Sequence, residues 1–288
     1  MMDNMKEFRK VCDIETLYQK KIFLTIIIGL ICLLIYLIIT ATNSDIEHVK
    51  ISLDASRQPS MTIGGFYHFA TVASRWKGIV TEQILLAHLS GLINATSKIY
   101  VTGLGKIEYN KTISDIFTNS KFVYGYDTKT DLYEYPTLKK LEKFCLHNNH
   151  SFVWYAHSKA ASHEHNEMAP WRDVMNYFVL DKWHHCYDLL STTNYTTCGA
   201  ILTYDSVRVK GWDIYYAGNM WWAKCSHVNR LTRLERIDQT DRFLAEIYVT
   251  SEPAEGHFNC FYADLRIPVQ FDRDNASCTI NYPLWKVR

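Results

Sequence analysis

Apolar side chains recur every three or four residues in three stretches of the chain, a spacing that predicts amphipathic helices. These stretches are 74–92, 135–147 and 170–190. Gly91 suits the end of the first helix, and Pro136 suits the first turn of the second, where its missing N–H would have no partner in any case. Short β-branched and aromatic runs predict strands at 98–105, 151–156, 199–204 and 212–217.

The order of these elements indicates an α/β fold, because strands separated by helices form a largely parallel, Rossmann-type sheet. Ligands of such sheets bind beyond the carboxyl ends of the strands. Two unusual stretches follow predicted strands directly: "HSKAAS" at 157–162 and "GNMWWAK" at 218–224. We therefore expect both stretches at the ligand-binding edge of the sheet.

One segment, 22–42, carries no charged side chain and is long enough to cross a bilayer core of about 30 Å as a helix. Lysine and arginine are more frequent before this segment than after it, which places its N-terminal side in the cytoplasm. The pattern predicts a single-pass type II membrane protein of the Golgi or ER. Its parts are a cytoplasmic tail at 1–21, a transmembrane signal anchor at 22–42, a stem at 43–60 and a luminal domain at 61–288.

Two further features agree with a luminal location for the C-terminal part. Six cysteines follow the stem and can form up to three disulfides in an oxidising compartment, with a pairing that the spacing leaves open. Some of them, Cys186 in particular, are equally well explained as buried thiols. Five N-x-S/T sequences predict N-glycosylation, at Asn94, Asn110, Asn149, Asn194 and Asn275.

Three side chains are candidates for binding a diphosphate. His157 and Lys159 follow the 151–156 strand, and Arg172 lies in the first turn of a helix, where its charge opposes the helix dipole. Such groups stabilise a leaving diphosphate electrostatically and supplement or replace a metal ion. The alternative, that all three are ordinary surface residues, stays open.

The 218–222 stretch suggests a sugar-binding surface. Gly218 and Asn219 favour a tight turn or a helix start, and the Asn219 amide can both donate to and accept from sugar hydroxyls. An indole face stacks on the C–H face of a pyranose. Because adjacent side chains point in different directions, we expect one of Trp221 and Trp222 in the core and the other in a pocket. The alternative is that both simply pack.

No metal site is predicted from the sequence. The histidine-rich stretches 163–165 and 184–185 lack the spacing of a zinc site, and no Asp-x-Asp sequence follows a predicted strand. Phosphate-loop, dinucleotide-binding and nucleophile-elbow sequences are also missing. The net charge of +1 gives no indication of a nucleic-acid partner.

Several short blocks occur in a fixed order along the chain: "FYHFA", "LSGL", "YEYPTLKKL", "YAHSKAAS", "WRDVMNYF", "YYAGNMWWAK" and "RFLAEIYV". Together they span about residues 64–250. They contain the motifs Tyr-x-His-Ser-Lys, Trp-Arg-x-x-Met and Gly-Asn-x-Trp-Trp. In this order the blocks resemble a mostly uncharacterised family of glycosyltransferase-like proteins.

The resemblance implies a GT-A-like fold and glycosyl transfer. The sequence departs from the family pattern at Ala160, Tyr215, Ala217 and Met220, where the family usually has Gly, His, Ser and Phe. These departures leave open a different acceptor or a loss of activity.

We therefore expect a glycosyltransferase that uses a nucleotide-sugar donor and a glycan, glycoprotein or glycolipid acceptor. Glu246 or Glu134 would act as the general base, with Glu246 preferred. No cofactor is predicted with certainty, and dependence on Mn²⁺ or Mg²⁺ stays open. The alternatives are a non-catalytic lectin-like or scaffolding protein of the same fold and, third, a hydrolase that uses Glu246 with Asp241 or Glu252.

Overall fold

The structure is a computed structural model that describes residues 61–72, 74–106, 115–158, 169–204, 214–251, 256–261, 271–273, 276 and 278. The chain divides into two compact units, Met1–Arg57 and Gln58–Arg288, and every described residue belongs to the second. The predicted tail, signal anchor and stem (1–21, 22–42 and 43–60) lie outside the described residues. Within the described ranges, no helix combines the length and the apolar character needed to cross a membrane.

Seven strands form one mixed sheet in the order β3-β2-β1-β4-β8-β5-β9, and β6 and β7 form a separate antiparallel ribbon. The strands are β1 (Ile63–Ala70), β2 (Lys98–Leu104), β3 (Phe122–Asp127), β4 (Phe152–His157), β5 (Thr197–Gly199), β6 (Leu202–Tyr204), β7 (Ile214–Tyr216), β8 (Trp221–Lys224) and β9 (His257–Asn259). Only β8 runs antiparallel to its neighbours in the large sheet. The prediction of a mostly parallel α/β sheet is confirmed.

Helices cover both faces of this sheet. They are α1 (Trp76–Leu89), α2 (Leu92–Ala95), α3 (Tyr135–His147), α4 (Ala169–Asn176), α5 (Trp183–Thr192), α6 (Cys225–Val228) and α7 (Arg242–Ile247), with 3₁₀ turns at Thr130–Leu132, Leu234–Arg236 and Tyr248–Thr250. The predicted helix at 135–147 is confirmed. Gly91 ends the first predicted helix region in a left-handed conformation with φ 78°, and a short second helix follows it.

The predicted helix at 170–190 is interrupted in the structure. A π-helical turn, Tyr177–Asp181, follows α4, and the Lys182 N–H donates to the Tyr177 carbonyl at 2.7 Å. A π-turn adds a residue to the helical repeat and shifts the faces of the helix on either side of it. The chain then continues as α5, whose Cys186 and Leu190 remain buried as predicted.

The core consists of two layers, one on each face of the sheet. Tyr67, Trp154 and Trp222 face the layer formed with α1, α4 and α5. Tyr155 and Trp221 face the opposite layer, formed with α3, α6 and α7. Neighbouring strand residues therefore alternate between the two layers, as the pleat of a β-strand requires.

Two predicted strands and one predicted loop differ from the structure. The stretches 199–204 and 212–217 contribute β6 and β7 to the separate ribbon, and only Gly199 reaches the large sheet, at the end of β5. The expected loop at 218–224 becomes β8, a central strand. Gly218 and Asn219, with φ values of 94° and 52°, turn the chain back so that it enters the sheet antiparallel to β4.

Three disulfides link the six cysteines that follow residue 60: Cys145–Cys225, Cys186–Cys198 and Cys260–Cys278. The first joins α3 to α6 and the second joins α5 to β5. The expectation of three disulfides agrees with these pairs, and the buried-thiol alternative for Cys186 is wrong.

Candidate functional site

The strand order marks one edge of the sheet as the expected ligand site. The chain leaves β1 towards β2 and β3 on one side, whereas β4 lies on the other side of β1 and leads to the second half of the sheet. Ligands of open α/β sheets bind outside the carboxyl ends of the strands at such a switch point. His68 and His157 lie there as register partners near the ends of β1 and β4.

His157 is held by two protein groups. Its Nε2 lies 2.6 Å from the Gly218 carbonyl oxygen, and its Nδ1 lies 3.4 Å from Oε1 of Glu134. A carbonyl only accepts, so the ring N–H at Nε2 donates to Gly218, while Nδ1 faces the Glu134 carboxylate. The ring is therefore committed to Gly218 and Glu134, which argues against the predicted direct contact of His157 with a diphosphate.

Glu134 directly precedes α3, and its side chain is 16% exposed. Burial opposes its ionisation, but the hydrogen bond and charge of His157, followed by the charge of His68, lower the pKa of Glu134 to about 2. His68 is buried and bonds through Nδ1 to the Thr137 hydroxyl at 2.9 Å. Burial lowers the pKa of His68 to about 4, so the ring is neutral at pH 7.

Glu246 approaches the same place from α7. Its side chain is 11% exposed and lies 3.5 Å from the Arg242 guanidinium one turn earlier. Burial raises the pKa of the nearby Tyr155 hydroxyl, and the charges of Glu134 and Glu246 raise it further. The hydrogen bond from Asn219 Nδ2 to the Ala245 carbonyl holds α7, and with it Glu246, beside the Gly218 turn. We call His157, Glu134, Glu246, Tyr155 and Gly218 the edge site.

Asn219 lies next to the edge site and has a structural role. It is fully buried, its Oδ1 accepts from the Trp221 indole at 2.8 Å, and its Nδ2 donates to the Ala245 carbonyl at 3.4 Å. Both ends of the amide are therefore used within the protein. The expected contacts of Asn219 with sugar hydroxyls are replaced by contacts that hold α7 against the turn before β8.

Neither tryptophan forms the expected sugar-stacking platform. Trp221 is 1% exposed and stacks on Tyr155 at 5.2 Å, while Trp222 is fully buried and stacks on Trp183 at 5.9 Å. The Trp222 indole also donates to the Val179 carbonyl at 3.0 Å. Because β8 is a central strand with a core layer on each face, both adjacent indoles pack in the core, as the packing alternative describes.

Arg172 lies on the α1 side of the same edge. Its side chain is 8% exposed and lies 3.7 Å from the Glu82 carboxylate, and its buried Nε has no hydrogen-bond partner among the described residues. A chain of hydrogen bonds leads from there to the edge site. Asn176 Nδ2 donates to Glu82 at 3.3 Å, and Gln83 Nε2 donates both to Asn176 at 2.9 Å and to the His157 carbonyl at 3.1 Å.

The remaining predicted residues divide into three groups. Lys159, Asn110 and Asn275 lie outside the described residues. The glycosylation candidates Asn94, Asn149 and Asn194 are exposed. Cys186, Cys198 and Cys260 form the one group in the described part of the chain with metal-ligand spacing, and all three belong to disulfides.

Sequence reasoning missed two residues of this region, Gln83 and Tyr155. Gln83 was treated as part of an apolar helix face, yet it is fully buried and binds Tyr67, Asn176 and the His157 carbonyl. Tyr155 was treated only as part of a strand. A polar residue in the buried stripe of a helix, such as Gln83, was the available signal, because a buried amide requires partners.

Comparison with known proteins identifies a family but no characterised relative. The model of a family described as "Domain of unknown function (DUF8361)" matches residues 66–260. No curated protein matches the chain.

The solved structures that this chain matches include three proteins, each at low sequence identity and low TM-score. The 4-diphosphocytidyl-2C-methyl-D-erythritol synthase of Anaerococcus prevotii is 12% identical with a TM-score of 0.39, covering 74% of this chain and 92% of its own. A cytidylyltransferase of Leptospira borgpetersenii is 13% identical with a TM-score of 0.40, covering 71% and 77%. Another 4-diphosphocytidyl-2C-methyl-D-erythritol synthase is 9% identical with a TM-score of 0.35, covering 73% and 92%. Since the family model matches more than half of the chain, the protein belongs to the DUF8361 family.

Proposed function

We propose that this protein transfers a sugar from a nucleotide-sugar donor to a glycan, glycoprotein or glycolipid acceptor, in a GT-A-like domain. The observation that carries the proposal is the convergence of His157, Glu134, Glu246 and the Gly218 turn at the switch point between β1 and β4. In open α/β sheets a nucleotide binds at such a switch point, with its diphosphate near the ends of the strands. The resemblance to glycosyltransferase-like sequences supports the choice of a sugar as the transferred group.

Arg172 is the residue proposed to bind the diphosphate. Its side chain is buried, its contact with the Glu82 carboxylate is a loose 3.7 Å, and its Nε is unpaired within the described residues. A guanidinium with a spare N–H binds a phosphate oxygen through a charge-assisted hydrogen bond. Lys159, which follows β4 by two residues, is proposed to assist.

Glu246 is the proposed general base. A carboxylate with a pKa of about 2 is a weak proton acceptor at neutral pH, so Glu134 serves better as the fixed counter-ion of His157. Glu246 would take the proton of the acceptor hydroxyl as its oxygen attacks the anomeric carbon and the nucleoside diphosphate leaves. This proposal involves no metal ion, and added Mn²⁺ or Mg²⁺ is a variable of the test.

The proposed location is the lumen of the Golgi or ER, with the segment 22–42 as the membrane anchor. Three disulfides and three exposed sequons, at Asn94, Asn149 and Asn194, support an oxidising compartment of the secretory pathway.

The test is a panel of nucleotide sugars incubated with the full chain purified in mild detergent, with and without Mn²⁺ or Mg²⁺. We expect release of a nucleoside diphosphate from one donor, and a loss of about 100-fold or more in turnover for Glu246→Gln with donor binding retained. Glu235→Gln, an exposed carboxylate, is the matched control. If no donor is bound or cleaved, the proposal fails, and glycan binding without nucleotide binding would favour the lectin-like alternative.

A further inference from the structure

A buried hydroxyl at the edge site lacks a hydrogen-bond partner. Tyr155 is fully buried, and its hydroxyl oxygen contacts no donor or acceptor at hydrogen-bond distance in the described part of the protein. A buried O–H without an acceptor destabilises a fold, and such groups are rare. The position therefore calls for an explanation beyond packing.

Other buried tyrosines show that the fold supplies partners elsewhere. Tyr67 donates to Gln83 at 2.6 Å, Tyr135 donates to the Asp241 carbonyl at 2.6 Å, and Tyr216 donates to the Phe258 carbonyl at 2.9 Å. Tyr248 also lacks a hydrogen bond of good geometry among the described residues, but its hydroxyl interacts with the Glu142 carboxylate. Its charged neighbours are Glu142 and Arg233 rather than the carboxylates of the edge site.

The surroundings of Tyr155 suit a ligand that carries hydroxyl groups. The charges of Glu134 and Glu246 both act on its hydroxyl, and its ring centroid lies 6.1 Å from that of His157. Carboxylates accept hydrogen bonds from sugar hydroxyls, and a tyrosine O–H donates to a sugar oxygen. A hydroxyl donor and carboxylate acceptors are therefore present at the same edge of the sheet, with His157 between Tyr155 and Glu134.

We propose that Tyr155, with Glu134 and Glu246, forms the subsite for the sugar of the donor, and that the Tyr155 hydroxyl donates to a sugar oxygen. This inference rests on the proposed function and deepens it. This subsite takes the place of the expected tryptophan platform, because the indoles of Trp221 and Trp222 are both buried in the core. The two carboxylates reach solvent, with side chains 16% and 11% exposed, so they are accessible to a ligand at this edge.

The proposal predicts opposite effects on stability and on binding. Tyr155→Phe removes the unpaired O–H and keeps the ring that stacks on Trp221, so the ligand-free protein should gain melting temperature. The same change removes a hydrogen bond to the sugar, so affinity for the donor should fall about five- to tenfold. Affinity for the nucleoside diphosphate alone should stay within twofold.

The experiment uses the full chain and two readouts, melting temperature and calorimetric affinity. The probes are UDP-glucose, UDP-galactose, UDP-N-acetylglucosamine and GDP-mannose, with UDP and GDP as their sugar-free counterparts. Tyr216→Phe is the matched control, because this buried hydroxyl bonds to Thr197 and Phe258. Its loss should lower the melting temperature and leave donor affinity unchanged.

The outcomes separate the two proposals. If the wild-type protein binds none of the probes, the proposed function fails and the sugar subsite fails with it. If the wild-type protein binds a donor and Tyr155→Phe binds it equally well, only the subsite is refuted. A fall in melting temperature for Tyr155→Phe as large as that for Tyr216→Phe would show that the Tyr155 hydroxyl is structural, and would also overturn the inference.

Discussion

The His157–Glu134 pair allows a quantitative prediction for the variant Glu134→Gln. Glu134 has a pKa of about 2 in the folded protein and 4.5 in the absence of its partners. At about 1.4 kcal/mol per pH unit, this lowering corresponds to about 3 kcal/mol of folding stability at pH 7. Breaking a buried ion pair by removing one partner costs a similar amount, about 3–5 kcal/mol. We therefore expect Glu134→Gln to lose about 3 kcal/mol at pH 7.

The pH dependence tests whether the loss is electrostatic. Because the folded-state pKa of Glu134 is lowered, the stabilisation is fully present above pH 4.5 and is lost as the pH falls towards 2. The glutamine variant lacks this titration. The difference between wild type and variant should therefore narrow from about 3 kcal/mol at pH 7 to about 2 kcal/mol at pH 3.5.

Urea unfolding followed by tryptophan fluorescence measures both quantities. Glu235→Gln, at an exposed position of the same chain, should change the free energy of unfolding by less than about 0.5 kcal/mol. A loss below about 1 kcal/mol for Glu134→Gln at pH 7, or a difference that does not change with pH, would refute the charged pair.

Three further predictions concern stability and modification. Burial lowers the pKa values of His68 and His227 to about 4, so at acidic pH the unfolded chain binds up to two more protons than the folded protein. The melting temperature should therefore fall as the pH drops from 6.5 to 4, and a melting temperature that does not change with pH would contradict this. Trp222→Phe should cost about 1–3 kcal/mol in urea unfolding and change donor affinity less than twofold, whereas a large affinity loss would restore a ligand role for this indole. After expression in a secretory host, digestion with peptide N-glycosidase should lower the mass at Asn94 and Asn149, and an unchanged mass would argue against a luminal domain.

Much of the first half of the fold could be predicted from the sequence. The apolar spacing in α1 and α3 predicts helices, and the buried apolar runs of β2 and β4 predict strands. The structure has these four elements at the expected residues. β1 was missed because Gly64 and Gly65 weaken the strand pattern. Its glycines instead allow close approach, since a Cβ on Gly65 would lie 2.5 Å from the Trp154 ring.

The second half of the fold depended on contacts between distant residues. The sequence predicts a tight turn or a helix start at Gly218 and Asn219, with one of Trp221 and Trp222 in the core and the other in a pocket. Whether the chain beyond a tight turn forms a loop or a strand depends on whether neighbouring strands offer free backbone hydrogen-bonding groups. Here β4 and β5 both pair with β8. That pairing buries both tryptophans.

The sequence by itself determined the α/β class, the positions of the strongly periodic elements and the residue types gathered near the strand ends. Only the tertiary structure decided which of those residues meet. Local periodicity fixes the face on which a side chain lies, but hydrogen-bond partners such as Gly218 for His157 are 61 positions apart in the chain. The convergence of Glu134, Glu246 and Tyr155 follows from three elements packing at one edge, which no local pattern encodes.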